Sequence, residues 1–399
     1  LNEVVITSVR RNENLIKAQM GVEKLNIKDI QNVPVLFGEK DILKTLQLLP
    51  GIKSAGEGNS GFYVRGGATD QNLILLDEAP VYNASHLLGF FSTFNSDAIK
   101  DVTVYKGGMP AQYGGRLSSV LDIRMNDGNK KETTFEGGIG LISSRLKIEG
   151  PFVKDKSSFM ISGRRTYADA FLALSPDTSL RGNTLYFYDF NAKANYQLDE
   201  KNTLYLSGYF GRDKLGLSNT FGFNWGNATG TLRLNHLFSN RLFSNTSLII
   251  SKYDYQIENL LSGSEFKVSS SIKDFNLKQD FSFALANTHE LKFGFEGIHH
   301  TISPGQISSP ITSSVNELKI ESRKGLELAA YISDSYNLSD QIKLVYGLRL
   351  SSFSVLGGSN YKTYNIDGEE LSSVFYKKGE FVKTYVNLEP RISASFQLD

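Results

Sequence analysis

Between Ser54 and Gly67 the chain reads SAGEGNSGFYVRGG, and Gly56, Gly58 and Gly61 carry the G-x-G-x-x-G spacing. Glycines at that spacing bind a pyrophosphate when they follow a strand and open a helix, whose N-terminal N–H groups take the anion. Here they follow a helix stop, Pro50-Gly51, and run into the strand-like GFYVRGG. The stretch therefore reads as a flexible loop, a strand and a tight Gly66-Gly67 turn. Five histidines are available: His86, His236, His289, His299 and His300. Neighbours on a strand point to opposite faces, so the His299-His300 pair cannot share a ligand there. All five read as surface or loop residues. There is no cysteine, which excludes thiolate catalysis, thiolate metal sites and disulfides. No Ser-His-Asp order, H-E-x-x-H or P-loop occurs. We expect no catalytic residue, no metal and no cofactor; the chemistry to look for is binding.

The elements that would position such a binding surface are strands. Lys plus Arg number 43 and Asp plus Glu 42, a net charge of +1, without the basic excess that nucleic acid demands. No apolar run approaches the about 18 residues of a spanning helix. The chain holds 26 Phe, 19 Tyr and 36 Gly, a composition of strands and turns. A shift in texture falls at NDGNKK, Asn126 to Lys131. Before it, Ile42, Leu43, Leu46 and Leu49 lie at helical spacing within Lys40 to Ile52. The strand-like runs GFYVRG, QNLILLDEAPVY, IKDVTVYKGG and SSVLDIRM follow, with one helical turn expected at Asn95–Lys100. This is a compact α+β domain of about 120 residues.

After Lys131 apolar and polar residues alternate with no helical segment. Phe275, Leu277, Phe281, Phe283 and Leu285 fall on one face; Asp274, Asn276, Lys278, Asp280 and Ser282 fall on the other. About eleven such strands are expected, with short turns at LDEKN, LFSNR and NLSDQ and longer loops near 170–185, 214–228, 302–320 and 355–380. Aromatic clusters (YFYDF, FVKTY) stand at strand ends. That pattern predicts a transmembrane β-barrel, its apolar face in lipid and its polar face on a lumen that tolerates substitution. A soluble sandwich also alternates, but it gives no reason for the aromatic strand ends or for short turns alternating with long loops.

Three stretches carry a family resemblance: LNEVVIT (Leu1–Thr7), FYVRGGATDQNLILLDEAPVYN (Phe62–Asn83) and IKDVTVYKGGMPAQYGGRLSSVLDIRMNDG (Ile99–Gly128). They resemble the TonB box, the plug core and the closing plug segment of the TonB-dependent outer-membrane receptors, in their Bacteroidetes-type version. The resemblance implies a mainly β fold: an N-terminal α+β plug and a transmembrane outer-membrane β-barrel of about 22 strands, of which only the N-terminal half is present. It divides the chain into a TonB-box-like segment and linker (1–12), a plug (13–130) and barrel (131–399). It implies that Glu3, Val4, Val5, Ile6 and Thr7 bind a TonB-like periplasmic protein by strand addition; the bland alternative is an edge strand of the plug. It implies plug-core or plug-barrel roles for Arg65, Gly66, Gly67, Asp77, Glu78, Lys106, Gly107, Tyr113, Gly114 and Arg116. Lys106-Gly107 stands where the family usually has Arg-Gly. A buried Arg65 would need an acid, within the plug or on the barrel, and inward-facing Glu296 and Glu327 are the candidate barrel partners; the alternative is a solvated Arg65 in a water-filled lumen. The implied setting is the bacterial outer membrane. The implied function is TonB-dependent import of a scarce ligand of siderophore, cobalamin, oligosaccharide or peptide type. The partners implied are the energising protein, outer-membrane lipid, a small ligand and a surface lipoprotein. The alternative function is a non-transporting receptor or a structural subunit of a surface complex.

Overall fold

The computed structural model describes residues 20–26, 40–56, 61–218 and 220–397; the Leu1–Thr7 segment and Gly58 lie outside them. The first unit comprises β1 (Val22–Asn26), α1 (Ile42–Leu46), β2 (Ile52–Ser54), β3 (Phe62–Val64), β4 (Asn72–Leu76), β5 (Ala79–Pro80), β6 (Ser85–His86), β7 (Phe91–Ser92), β8 (Ile99–Tyr105) and β9 (Ser119–Met125). Its central sheet has the order β1-β8-β9-β4-β5. Among the described strands only the β4–β9 pair is parallel. Asp41 caps α1 by accepting from Lys44 N at 3.0 Å. The helix buries Ile42, Leu43 and Leu46 against Val102, Val104, Leu121 and Ile123. It is shorter than the expected run to Ile52, because Pro50-Gly51 already turns the chain, with Gly51 at φ 79°.

Two further expectations are corrected. Asn95–Lys100 is a hydrogen-bonded turn (Ala98 N to Asn95 O, 3.0 Å), and β8 begins at Ile99. QNLILLDEAPVY is not one strand. Asp77 and Glu78 take φ 45° and 74° and fold β4 back on β5, with Leu76 opposite Ala79. A two-residue turn with both residues at positive φ matches the twist of a hairpin. The glycine-rich stretch does end in strand β3 and a turn at Arg65 (φ 48°) and Gly66 (φ 86°), closed by Gly67 N to Val64 O at 2.9 Å.

The second unit is one antiparallel sheet of twelve strands, against about eleven expected. In order these are β10 (Thr134–Ile139), β11 (Ser143–Gly150), β12 (Ser157–Thr166), β13 (Thr184–Gln197), β14 (Asn202–Leu217), β15 (Phe221–Ser239), β16 (Leu242–Asn259), β17 (Phe266–Ala286), β18 (His289–Ser308), β19 (Arg323–Asn337), β20 (Ile342–Leu356) and β23 (Phe381–Phe396). A side hairpin, β21 (Asn360–Tyr364) with β22 (Glu370–Phe375), rises between the last two. A short helix, α2 (Ala168–Ala173), occupies the loop after β12, where no helix was expected. Residues 214–217 and 221–228, expected in a loop, are strand: β14 and β15 stay paired up to Leu217 and Phe221. β18 likewise continues to Ser308 before its loop begins. No helix among the described residues is long and apolar enough to cross a membrane.

The alternation has the expected register. Phe275 and Leu277 are exposed (54% and 41%), while Asp274, Asn276 and Lys278 point inward. The inner face is not an open lumen at this level, however. The first unit lies against it, so Asn276 and Lys278 are buried and would not tolerate free substitution. On the outer face Phe281 stacks on Phe293 with centroids 5.0 Å apart. Phe281→Arg is expected to cost about 2–4 kcal/mol in a bilayer. Equilibrium refolding into vesicles reads this directly, and an unchanged free energy would overturn the outward register.

Candidate functional site: the plug–barrel interface

The inner unit meets the sheet through charge. The most buried contact is one the sequence reading missed. β6 delivers His86 to the wall, where it is 1% exposed. Its Nδ1 lies 2.6 Å from Asp213 Oδ2 on β14, and its Nε2 lies 3.5 Å from Asp189 Oδ2 on β13. Asp189 also accepts from Arg164 Nε and Nη2 at 2.9 and 2.7 Å. Arg164 Nη2 donates back to Ser92 O of the inner unit at 2.9 Å. Leu87 N donates to Asp213 Oδ1 at 2.7 Å. The imidazole stacks on Phe187 at 4.1 Å, and Tyr209 OH approaches Nε2 at 3.3 Å. Burial opposes a charge on His86, but Asp213 and Asp189 outweigh it, and its pKa is raised. With His86 protonated, two cations face two anions. His86 is thus a core residue, not the surface or loop residue expected.

The Asp77-Glu78 turn makes a second contact. Lys193 on β13 reaches Asp77 Oδ2 at 3.1 Å. Asp77 Oδ1 accepts from Met125 N at 3.0 Å. Glu78 Oε1 lies 3.1 Å from Arg233 Nη1, and Glu78 Oε2 lies 3.9 Å from Lys278 Nζ. Burial pushes the Glu78 carboxyl up, yet Lys278 and Arg233 hold it below its ordinary value. A polar cavity of about 240 Å³ opens here between Glu78, Asp122 and Arg124 on one side and Arg233, Lys278 and Asp280 on the other.

The third contact is a clamp. Arg391 on β23 donates to Met109 O (3.2 Å), Pro110 O and Tyr113 O (2.7 Å). Arg349 on β20 donates to Ala111 O (3.4 Å) and Gln112 O (3.0 Å). Two guanidiniums thus hold the carbonyls of one loop. Gly114 permits the approach, since a Cβ there would lie 2.5 Å from Arg349 Nε. Neither arginine was singled out beforehand. The available signal was an Arg on the inward face between lipid-facing Leu348 and Leu350, and another beside Ile392.

The other anticipated residues are placed as follows. Lys106 stays within the inner unit, on Pro50 O (2.8 Å) and Glu23 (3.3 Å). Tyr113 OH donates to Asp122 at 3.2 Å. Arg116 is half-buried and donates to Gly115 O at 2.8 Å. The expected pairing of Arg65 with Glu296 or Glu327 is not formed. Arg65 is exposed, and its turn lays the guanidinium over Gly21 and Gly107. Glu296 instead pairs with Arg349 (3.4 Å) and Asn276 (2.8 Å). Glu327 lies 3.7 Å from His300 Nε2. Among the described residues no His, Asp and Glu group could hold a metal ion.

Residues 17–119 match the family model described as TonB-dependent Receptor Plug Domain. The chain is similar to the probable TonB-dependent siderophore receptor PirA of Acinetobacter baumannii, 22% identical over 461 residues, with 94% of this chain and 58% of the relative covered. Its fold is similar to the copper transporter OprC (TM-score 0.70, 13% identity, 95% of this chain and 62% of that one). It is also similar to the FrpB iron transporter from Neisseria meningitidis, F3-3 variant (TM-score 0.66, 16% identity, 95% and 63%). The chain spans 58% of that curated relative's length. The fold is therefore a plug seated against outer-membrane barrel strands, and its place is the bacterial outer membrane.

Proposed function

We propose that this chain, whose plug-domain match and similarity to a siderophore receptor support the TonB-dependent receptor family, belongs to an active importer of a small iron-chelate ligand. Ligand binds from the loop side, a TonB-like periplasmic protein grips Glu3 to Thr7 by strand addition, and the plug shifts against the barrel wall to open a path. The work is binding and transport rather than turnover. The observation that supports this reading is the chemistry of the plug–barrel interface. His86, Asp77, Glu78 and the 109–113 carbonyls all meet charged barrel side chains. Polar groups released from such a contact regain hydrogen bonds from water, whereas an apolar interface would expose about 25 cal/mol for every Å² opened. A plug held this way stays seated at rest and can still be moved. The ligand class rests on the similarity to a siderophore receptor.

The test is uptake of radiolabelled iron presented as a ferric siderophore to cells carrying the protein, with and without collapse of the proton gradient. We expect uptake that stops when the gradient is lost. Tight surface binding with no gradient-dependent uptake would instead select the second reading, a non-transporting receptor that docks a surface lipoprotein. The β21–β22 hairpin favours that reading, since it presents Ile366 (100% exposed) and Phe375 (65%) to the outside.

A further inference from the structure

On the lipid-facing side of β10–β13 the sheet carries an open groove of about 1230 Å³. One cross-strand row explains it. Gly137 lies opposite Leu146, Leu146 opposite Gly163, and Gly163 opposite Phe190. The two glycines leave troughs on either side of Leu146, which is 58% exposed, as Phe190 is 54% exposed. Ile148 and Ile161 continue the apolar floor toward the short-turn end.

At the loop end the chemistry changes. Arg165 is exposed and lies opposite Tyr188. Its guanidinium sits 5.2 Å above the Tyr186 ring. Lys214, also exposed, lies directly across from Tyr186. No carboxylate among the described residues pairs with Arg165 or Lys214. The next cation on this face, Arg212, is already paired with Asp254 at 2.7 Å. Two uncompensated cations at the edge of an apolar trough are costly in bare hydrocarbon and complementary to a lipid bearing a phosphate.

We infer that this groove is a lipid site: it seats an acyl chain of an outer-leaflet lipid over Gly163, with the lipid's exposed phosphate held between Arg165 and Lys214. Arg supplies a planar fork for phosphate and Lys a point charge. Long extracellular loops mark the end of the strands where the cations stand, so the headgroup belongs to the outer leaflet. A lipid held by one chain and two charge-assisted contacts brings its own phosphate, and this commits the site to lipid rather than to a free anion.

The test uses the folded chain in neutral detergent, titrated with dioleoyl phosphatidic acid or dioleoyl phosphatidylcholine, with bound lipid counted by native mass spectrometry. We expect phosphatidic acid to bind at least tenfold more tightly than phosphatidylcholine. Arg165→Gln with Lys214→Gln removes that preference and leaves phosphatidylcholine unchanged. Gly163→Leu fills the trough and weakens both lipids. Heat-modifiable migration on gels confirms that each variant is folded; both charge changes lie on exposed positions. Equal retention of the two lipids by the parent chain overturns the inference. So does displacement by inorganic phosphate alone, which would mean an anion site without the groove. A dimer whose formation excludes lipid would assign the groove to a second copy and overturn it as well.

Discussion

Asp213→Ala is expected to loosen the plug from the barrel wall by about 3–5 kcal/mol, the range for breaking a buried ion pair from one side. The replacement strands His86, which faces Asp213, Asp189 and Tyr209 with almost no solvent. It also removes the acceptor of Leu87 N. Two groups lose partners at once, and no water can replace them without opening the interface. Protease susceptibility of the 82–94 segment under increasing urea reads the change. A variant as protected as the parent would show that the quartet contributes nothing to docking. The same contact sets a pH dependence. The folded-state pKa of His86 is raised above its ordinary value of about 6.5. Its contribution is therefore fully present below about pH 6.5 and is lost as the pH rises through the raised value. Plug protection in the parent should fall on the alkaline side. In Asp213→Ala that slope should flatten, because the dominant anion favouring the imidazolium is gone.

Val5→Pro is expected to reduce uptake to background while leaving folding and ligand binding intact. Strand addition runs through backbone N–H groups, and proline removes one and fixes φ near −65°. Val4, Val5, Ile6 and Thr7 are β-formers in a short run, and Arg10-Arg11 begin a polar linker behind them. Val5→Ile keeps the backbone donor and should behave as the parent. The paired readouts are labelled-iron uptake in cells and pull-down with the periplasmic domain of a TonB-like protein. Full uptake in the proline variant would remove this segment from the mechanism. Lost uptake with intact pull-down would move the defect elsewhere in the transport cycle.

These two variants divide along what each level of description can decide. Alternation along IKDFNLKQDFSFAL assigns Phe275 and Leu277 to one face and Asn276 and Lys278 to the other, because side-chain direction on a strand is purely local. The plug's glycine and turn chemistry is local in the same way, so the β3 strand and its Arg65-Gly66 turn could be read directly. The chain's own residues also carried enough ordered motif to point to a plug and an outer-membrane barrel.

Alternation is the same, however, whether the polar face meets water or protein. Lys278 was therefore read as facing an open lumen, and it is buried against Glu78. Partner choice depends on how twelve strands curve around the inserted unit. His86 and Asp213 are 127 residues apart, and Arg349 and Gln112 are 237 apart. A lone histidine in ASHLLGF gives no sign that two aspartates and an arginine will surround it. Arg65, expected either to pair with Glu296 or Glu327 or to stand solvated, is exposed, because its left-handed turn directs it over Gly21 and Gly107. Face is written in the period of the chain; which buried charge meets which is decided only when the sheet closes on the plug and water leaves the space between them.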